Sequence, residues 1–89
     1  MKQKYKLSII LPVYNEEESL SIMINILEAT LDFPHEVFIV YDDINDRSIE
    51  PAKRLKKLYS NIFLIHNDLG KGVQNAITKG VEFCTSDII

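Results

Sequence analysis

The sequence predicts an α/β fold, a parallel sheet held between two layers of helix, and three observations predict it. Three short apolar runs, at residues 7–11, 37–41 and 62–65, are rich in β-branched and aromatic side chains and almost unbroken in hydrophobicity. That is the pattern of strands covered on both faces. The segments that follow each run carry apolar residues at helical spacing. Runs and stripes alternate, and alternation is what right-handed crossovers and a parallel sheet require. The expected order is β-α-β-α-β-α, followed by the start of a fourth strand at Asp87-Ile88-Ile89.

The first helical stripe is Leu20, Met23, Ile24, Leu27 and Leu31. Asn15 is expected to cap this helix, with Glu18 three residues on in capping-box position. Glu16 and Glu17 suit the positive end of its dipole. The helix must stop before Pro34, whose ring disfavours helical conformation at Phe33. The second stripe is Ala52, Leu55, Leu58 and Tyr59, and Ser48 ahead of Pro51 marks its start, since proline is tolerated in a first turn. A third helix should bury Val73, Ala76, Ile77, Gly80, Phe83 and Cys84. The result is a three-layer α/β/α, Rossmann-like half.

Eighty-nine residues suffice for one small domain and not for two, so residues 1–89 are read as a single domain. The composition, 46% hydrophobic and 26% charged, is that of an ordinary globular chain. A net charge of -3 argues against a nucleic-acid partner, which calls for a basic face. The lysines are scattered, with Lys2, Lys4 and Lys6 at the start. Lys53, Arg54, Lys56 and Lys57 cluster along the second helix, as a solvated face or as a membrane-surface or phosphate patch. The lone Cys84 lies on an apolar stripe and reads as a buried, inert thiol. The first apolar run is too short for a signal or a membrane span, so the chain is expected to be cytoplasmic. It stops where a strand begins, as a piece of a longer protein would.

In sheets of this kind ligands bind beyond the carboxyl ends of the strands. Those ends read Pro12-Val13-Tyr14-Asn15-Glu16-Glu17, Asp42-Asp43-Ile44-Asn45-Asp46-Arg47 and His66-Asn67-Asp68-Leu69-Gly70-Lys71-Gly72. All are polar and should gather along one rim. Carboxylates at a strand end can accept from base N–H or ribose hydroxyl groups, or help hold a cation; they also suit a solvated Asx-rich turn. Tyr14 can stack on a base or pack on a loop. Gly70-Lys71-Gly72 ahead of a helix suits a phosphate, though it is no Walker A sequence, and no G-x-G-x-x-G follows the first strand. His66 lacks metal-ligand company and reads as structural.

The three strand ends together carry a resemblance. Residues 8–17, Ser-Ile-Ile-Leu-Pro-Val-Tyr-Asn-Glu-Glu, resemble the opening of family 2, GT-A-type glycosyltransferases, where "PVYNEE" follows the first strand. Residues 37–43 resemble the family's second strand and its acidic end. Asn67, Gly70, Gly72, Asn75 and Ala76, with Gly80 after them, resemble its "N-x-G-x-G … N-A" segment. Three motifs stand in the right order over nearly the whole chain, and they are most similar to the polyprenyl- and dolichol-phosphate sugar transferases.

The resemblance implies a nucleotide-sugar site. Pro12, Tyr14, Asn15 and Glu16, with Asp42 and Asp43, would cradle the base and ribose of a UDP- or GDP-sugar. Gly70 and Lys71 would approach its diphosphate. Many relatives have Asp-Asp-Gly-Ser where this chain has Asp42-Asp43-Ile44-Asn45. Ile44 lacks glycine's access to positive φ, so the loop must take another path. Asp42 is favoured as the base-facing carboxylate, with Asp46 substituting in part. The family's Asp-x-Asp metal motif, for magnesium or manganese, and its catalytic base would both follow Ile89. The metal ligands and catalytic residues are therefore expected outside this chain.

The resemblance further implies an acceptor that is a lipid phosphate, such as a polyprenyl phosphate, or a saccharide, a role in cell-envelope or polysaccharide synthesis, and a place at the cytoplasmic face of the membrane. Two rival functions are a receiver-like signalling domain and a non-catalytic Rossmann-like interaction domain. A receiver needs paired acids after its first strand and a phosphoacceptor after its third; Pro12-Val13-Tyr14 and Ile65-His66 stand there instead. An unpaired sheet edge would also allow self-association.

Overall fold

Apolar side chains at consecutive positions can all be buried only in a strand with cover on both sides, and the central strand of this protein is of that kind. The computed structural model describes residues 5–89; Lys2 and Lys4 fall outside them. The elements are β1 (Leu7–Pro12), α1 (Leu20–Thr30), β2 (His35–Tyr41), α2 (Ile49–Leu58), β3 (Ile62–His66) and α3 (Val73–Val81). The sheet is parallel in the order β1-β2-β3, with Ile9 opposite Val37 and Val40 opposite Ile65. This is the alternating α/β architecture that the sequence predicts.

Successive β2 side chains point to opposite faces, and each face has its own core. Val37 and Ile39 pack with Leu20 and Ile24 of α1, Ala52 and Leu55 of α2, and Ile62. Phe38 and Val40 pack with Ala76 of α3, Ile10, Phe63 and Ile65. The Phe38 and Phe63 rings stack with centroids 5.3 Å apart. Both crossovers run in one direction along the sheet, so α1 and α2 share a face; α3 lies on the other, where the chain turns back towards β1. Gly80 makes that approach possible, because a Cβ there would lie 2.7 Å from Cγ2 of Ile10.

Four expectations need correction. Asn15 does not cap α1: the helix begins at Leu20 after Ser19, with no acidic residue in its first turn, and Asn15 has a positive φ of 49°. Its polar groups are drawn instead to the neighbouring loop, as described below. No strand forms at 87–89; a single bond, from the Ser8 N–H to the Ile88 carbonyl, marks the chain on the outer edge of β1. Leu58 of the second stripe is exposed, as are Val73, Ile77 and Phe83 of the third. Only the small residues Ala76 and Gly80 of α3 are buried, because no second helix flanks α3 among the described residues. Cys84 is half-buried, its thiol donating to the Gly80 carbonyl and pushed up by burial, which keeps it protonated. Lys53, Arg54, Lys56 and Lys57 are all exposed.

At the base of β2, both ring nitrogens of His35 face acceptors: Nδ1 lies 2.8 Å from the Phe33 carbonyl and Nε2 2.5 Å from Glu28. Glu28 also accepts from Nδ2 of Asn61, which donates to the His35 carbonyl as well. A ring with two acceptors needs two protons. Burial alone would lower the pKa, but the bonds to Glu28 and the carbonyl, with the Glu28 charge, outweigh it and raise the pKa above the usual 6.5. A raised histidine stabilises the fold fully below the unfolded value, and that stabilisation is lost as pH climbs through the folded value. The urea midpoint should therefore fall between about pH 6 and about pH 8, and His35→Gln should flatten the change. An equal fall in that variant would show that another group is responsible.

Candidate functional site

Parallel strands bring their carboxyl ends to one rim, and α3 crosses to the opposite face from α1 and α2 just beyond it. Between them opens a cleft of about 330 Å³. Pro12, Val13, Tyr14 and Glu16 line it from the first loop, Val40 and Asp42 from β2 and its end, and Gly72, Val73 and Ala76 from the start of α3. The three strand ends thus meet at one place, beyond the carboxyl ends of the strands, where such folds bind ligands.

The first loop is held by the second. Val13 extends the ladder past Pro12 by donating to the Val40 carbonyl at 3.0 Å. Asp46 is buried, and its Oδ1 accepts from the N–H groups of both Asn15, at 3.0 Å, and Ser48, at 2.7 Å. Asn15 reciprocates, its Oδ1 accepting from the Arg47 N–H at 3.0 Å. The Glu16 N–H donates to Oγ of Ser48 at 2.7 Å, and Arg47 pairs with Glu17. This clasp explains the left-handed Asn15: asparagine tolerates that conformation, and here it places donor and acceptor across the two loops. Tyr14, between the clasped residues and β1, is left 77% exposed beside the cleft.

The third loop is held by Asp42. Its Oδ1 accepts from Nδ2 of Asn67 at 2.7 Å and its Oδ2 from the Gly72 N–H at 3.1 Å. Asn67 is buried; it also donates to the Gly70 carbonyl and accepts from the Leu69 N–H. Gly70 and Gly72 have φ of 109° and 120°, a region that favours glycine, so the turn depends on both. His66 stacks on Tyr41 and reaches the Asp42 carbonyl, a structural role as the sequence suggests.

Tyr14, Glu16, Asp42 and Pro12 therefore share the cleft, and the other candidates do not line it. Asp43 closes its own turn by accepting from the Asn45 N–H. Asp46 is spent on the clasp, which is at odds with its standing in for Asp42. Asn15 serves the same clasp. Gly70 backs onto Asn67, and Lys71 is exposed on the turn. Ile44 keeps negative φ, and the loop closes through the Asp46 N–H and the Asp43 carbonyl. Sequence reasoning missed Asn67 and Ser48 as organisers of the site; an asparagine directly after β3 was the available signal for the first. Among the described residues no three His, Cys, Asp or Glu side chains come together as metal ligands, and no helix is long and apolar enough to cross a membrane.

A model described as glycosyl transferase family 2 matches residues 8–89. The chain is 31% identical over 84 residues to a dolichol-phosphate mannosyltransferase of Pyrococcus furiosus, covering 93% of this chain and 24% of that protein. It is 34% identical over 88 residues to an undecaprenyl-phosphate 4-deoxy-4-formamido-L-arabinose transferase of Yersinia enterocolitica, covering 94% and 27%. A dolichyl-phosphate beta-glucosyltransferase of Trichomonas vaginalis is 35% identical over 82 residues, covering 83% and 25%. The chain spans about a quarter of the length of these relatives.

Proposed function

The chain belongs to glycosyl transferase family 2, and from that premise we propose that residues 5–89 form the donor side of a sugar transferase. The rival reading as a receiver domain falls with the family assignment. In the proposal the cleft holds the nucleotide of a UDP- or GDP-sugar, and the acceptor is a lipid phosphate of the polyprenyl class. The parent protein would then work at the cytoplasmic face of a membrane. The names of the relatives support the acceptor; the meeting of Tyr14, Asp42 and Gly72 in one cleft is the observation that carries the donor site.

Each residue has a chemical part. Tyr14 offers an exposed ring to stack on a base. Asp42 has both oxygens turned by protein donors, and each keeps a lone pair for a base N–H or a ribose hydroxyl. Lys71 and the turn at 70–72 bring positive charge and backbone N–H groups towards a diphosphate. Glu16 closes the outer side of the cleft. A divalent cation belongs to the proposed whole protein, but the described residues supply no ligand set for one. Residues 1–89 act in this reading as a single unit that binds and does not transfer. Two such units would self-associate through an exposed edge of the sheet.

NMR titration with UDP and with GDP, each with and without manganese, tests the site. Shifts are expected at Tyr14, Asp42 and Gly72, weakly and without need of the metal. Shifts confined to other surfaces, or none, would favour an interaction domain that keeps the fold alone. Sugar transfer by these residues unaided would refute their assignment to the donor side only.

A further inference from the structure

At the end of the sheet opposite the cleft, Glu36 is a buried carboxylate that the proposed function does not use. Among the described residues no basic side chain pairs with it. Its Oε2 accepts instead from Oγ of Ser8 at 2.5 Å, the Thr85 N–H at 2.7 Å and Oγ1 of Thr85 at 2.9 Å. The bonds continue outward. Ser8 Oγ accepts from the Ser86 N–H at 3.2 Å, Ser86 Oγ accepts from the Ile88 N–H at 3.2 Å, and the Ser8 N–H donates to the Ile88 carbonyl at 2.8 Å. Ser8 and Glu36 are register partners on β1 and β2, so the carboxylate reaches across β1 to the segment that leaves α3.

A carboxylate withdrawn from water is costly unless donors surround it, and donors from two separate segments fix where those segments stand. We propose that Glu36 is a positioning residue that sets the edge and the register at which the polypeptide leaving α3 joins β1. A slip of one residue would take the Thr85 N–H and hydroxyl away from the carboxylate. It would also reverse the face met by every side chain of a strand added there. The consequence for sugar transfer rests on the proposed donor site, because such a strand would lie beside the one that ends in the cleft. The register itself depends only on the bonds described.

Amide hydrogen exchange on the chain and on Glu36→Gln tests this. Glutamine keeps the size but exchanges one acceptor for a donor. Exchange at Ser8, Thr85 and Ile88 is expected to rise about tenfold or more. Val13 and Asn67, whose amides bond to Val40 and Tyr41 at the other end of the sheet, should not change. Ser8→Ala provides the second variant should the first not fold: it is expected to free Ser86 and Ile88 while sparing Thr85. Equal acceleration at Val13 and Asn67 would reduce Glu36 to a general stabiliser and overturn the proposal, as would unaltered exchange at Thr85 and Ile88. Nucleotide titration of the same samples reads the cleft separately, so failure of one idea is told apart from failure of the other.

Discussion

Replacement of Asp46 by alanine is expected to destabilise the chain by about 3 kcal/mol, since two N–H groups lose a charged acceptor in a buried setting. One of them, on Asn15, belongs to a residue in the left-handed region, whose place the clasp helps to fix. The first loop should then open, and the amide resonances of residues 13–16 should move with it. Asp46→Asn retains an oxygen for both donors and should recover more than half of the loss. Urea unfolding of the two variants gives the answer. If alanine costs less than about 0.5 kcal/mol, in the range of an ordinary surface change, the clasp between the first two loops does not matter.

Asp42→Ala is expected to act on stability and binding together. It removes the acceptor for Asn67 and for the Gly72 N–H, so the turn before α3 should loosen at a cost of about 2 kcal/mol. Nucleotide affinity should fall about a hundredfold, because the cleft loses both a carboxylate that lines it and the placement of its third wall. Asn67→Ala separates the two parts. It frees the turn but leaves the carboxylate, so affinity should fall less than in Asp42→Ala while stability falls about as much. Identical affinities for the three proteins would mean that the nucleotide does not meet Asp42.

Much of this protein could be read from its letters. The apolar runs become β1, β2 and β3, and the stripes between them become helices, because strand and helix periods are properties of neighbouring residues. The meeting of the three polar strand ends was legible too, since a parallel sheet leaves them no other place. Asn15 shows where such reading stops. Its spacing to Glu18 satisfies a local capping rule, and a partner thirty-one residues away competes for the same N–H and wins. Asp42 and Asp43 are alike in sequence, yet one faces the cleft and the other closes a turn.

The sequence by itself determined the order and kind of the elements, the parallel sheet, and the rim at which the polar strand ends gather. Only the tertiary structure decided which polar side chains are spent on holding loops and which are left to line the cleft. It also revealed the carboxylate of Glu36 and the imidazole of His35 at the far end of the sheet. The physical reason is that burying apolar surface depends on pattern, which lies along the chain. A hydrogen bond depends on two particular atoms a few ångströms apart, and that distance exists only after the chain has folded.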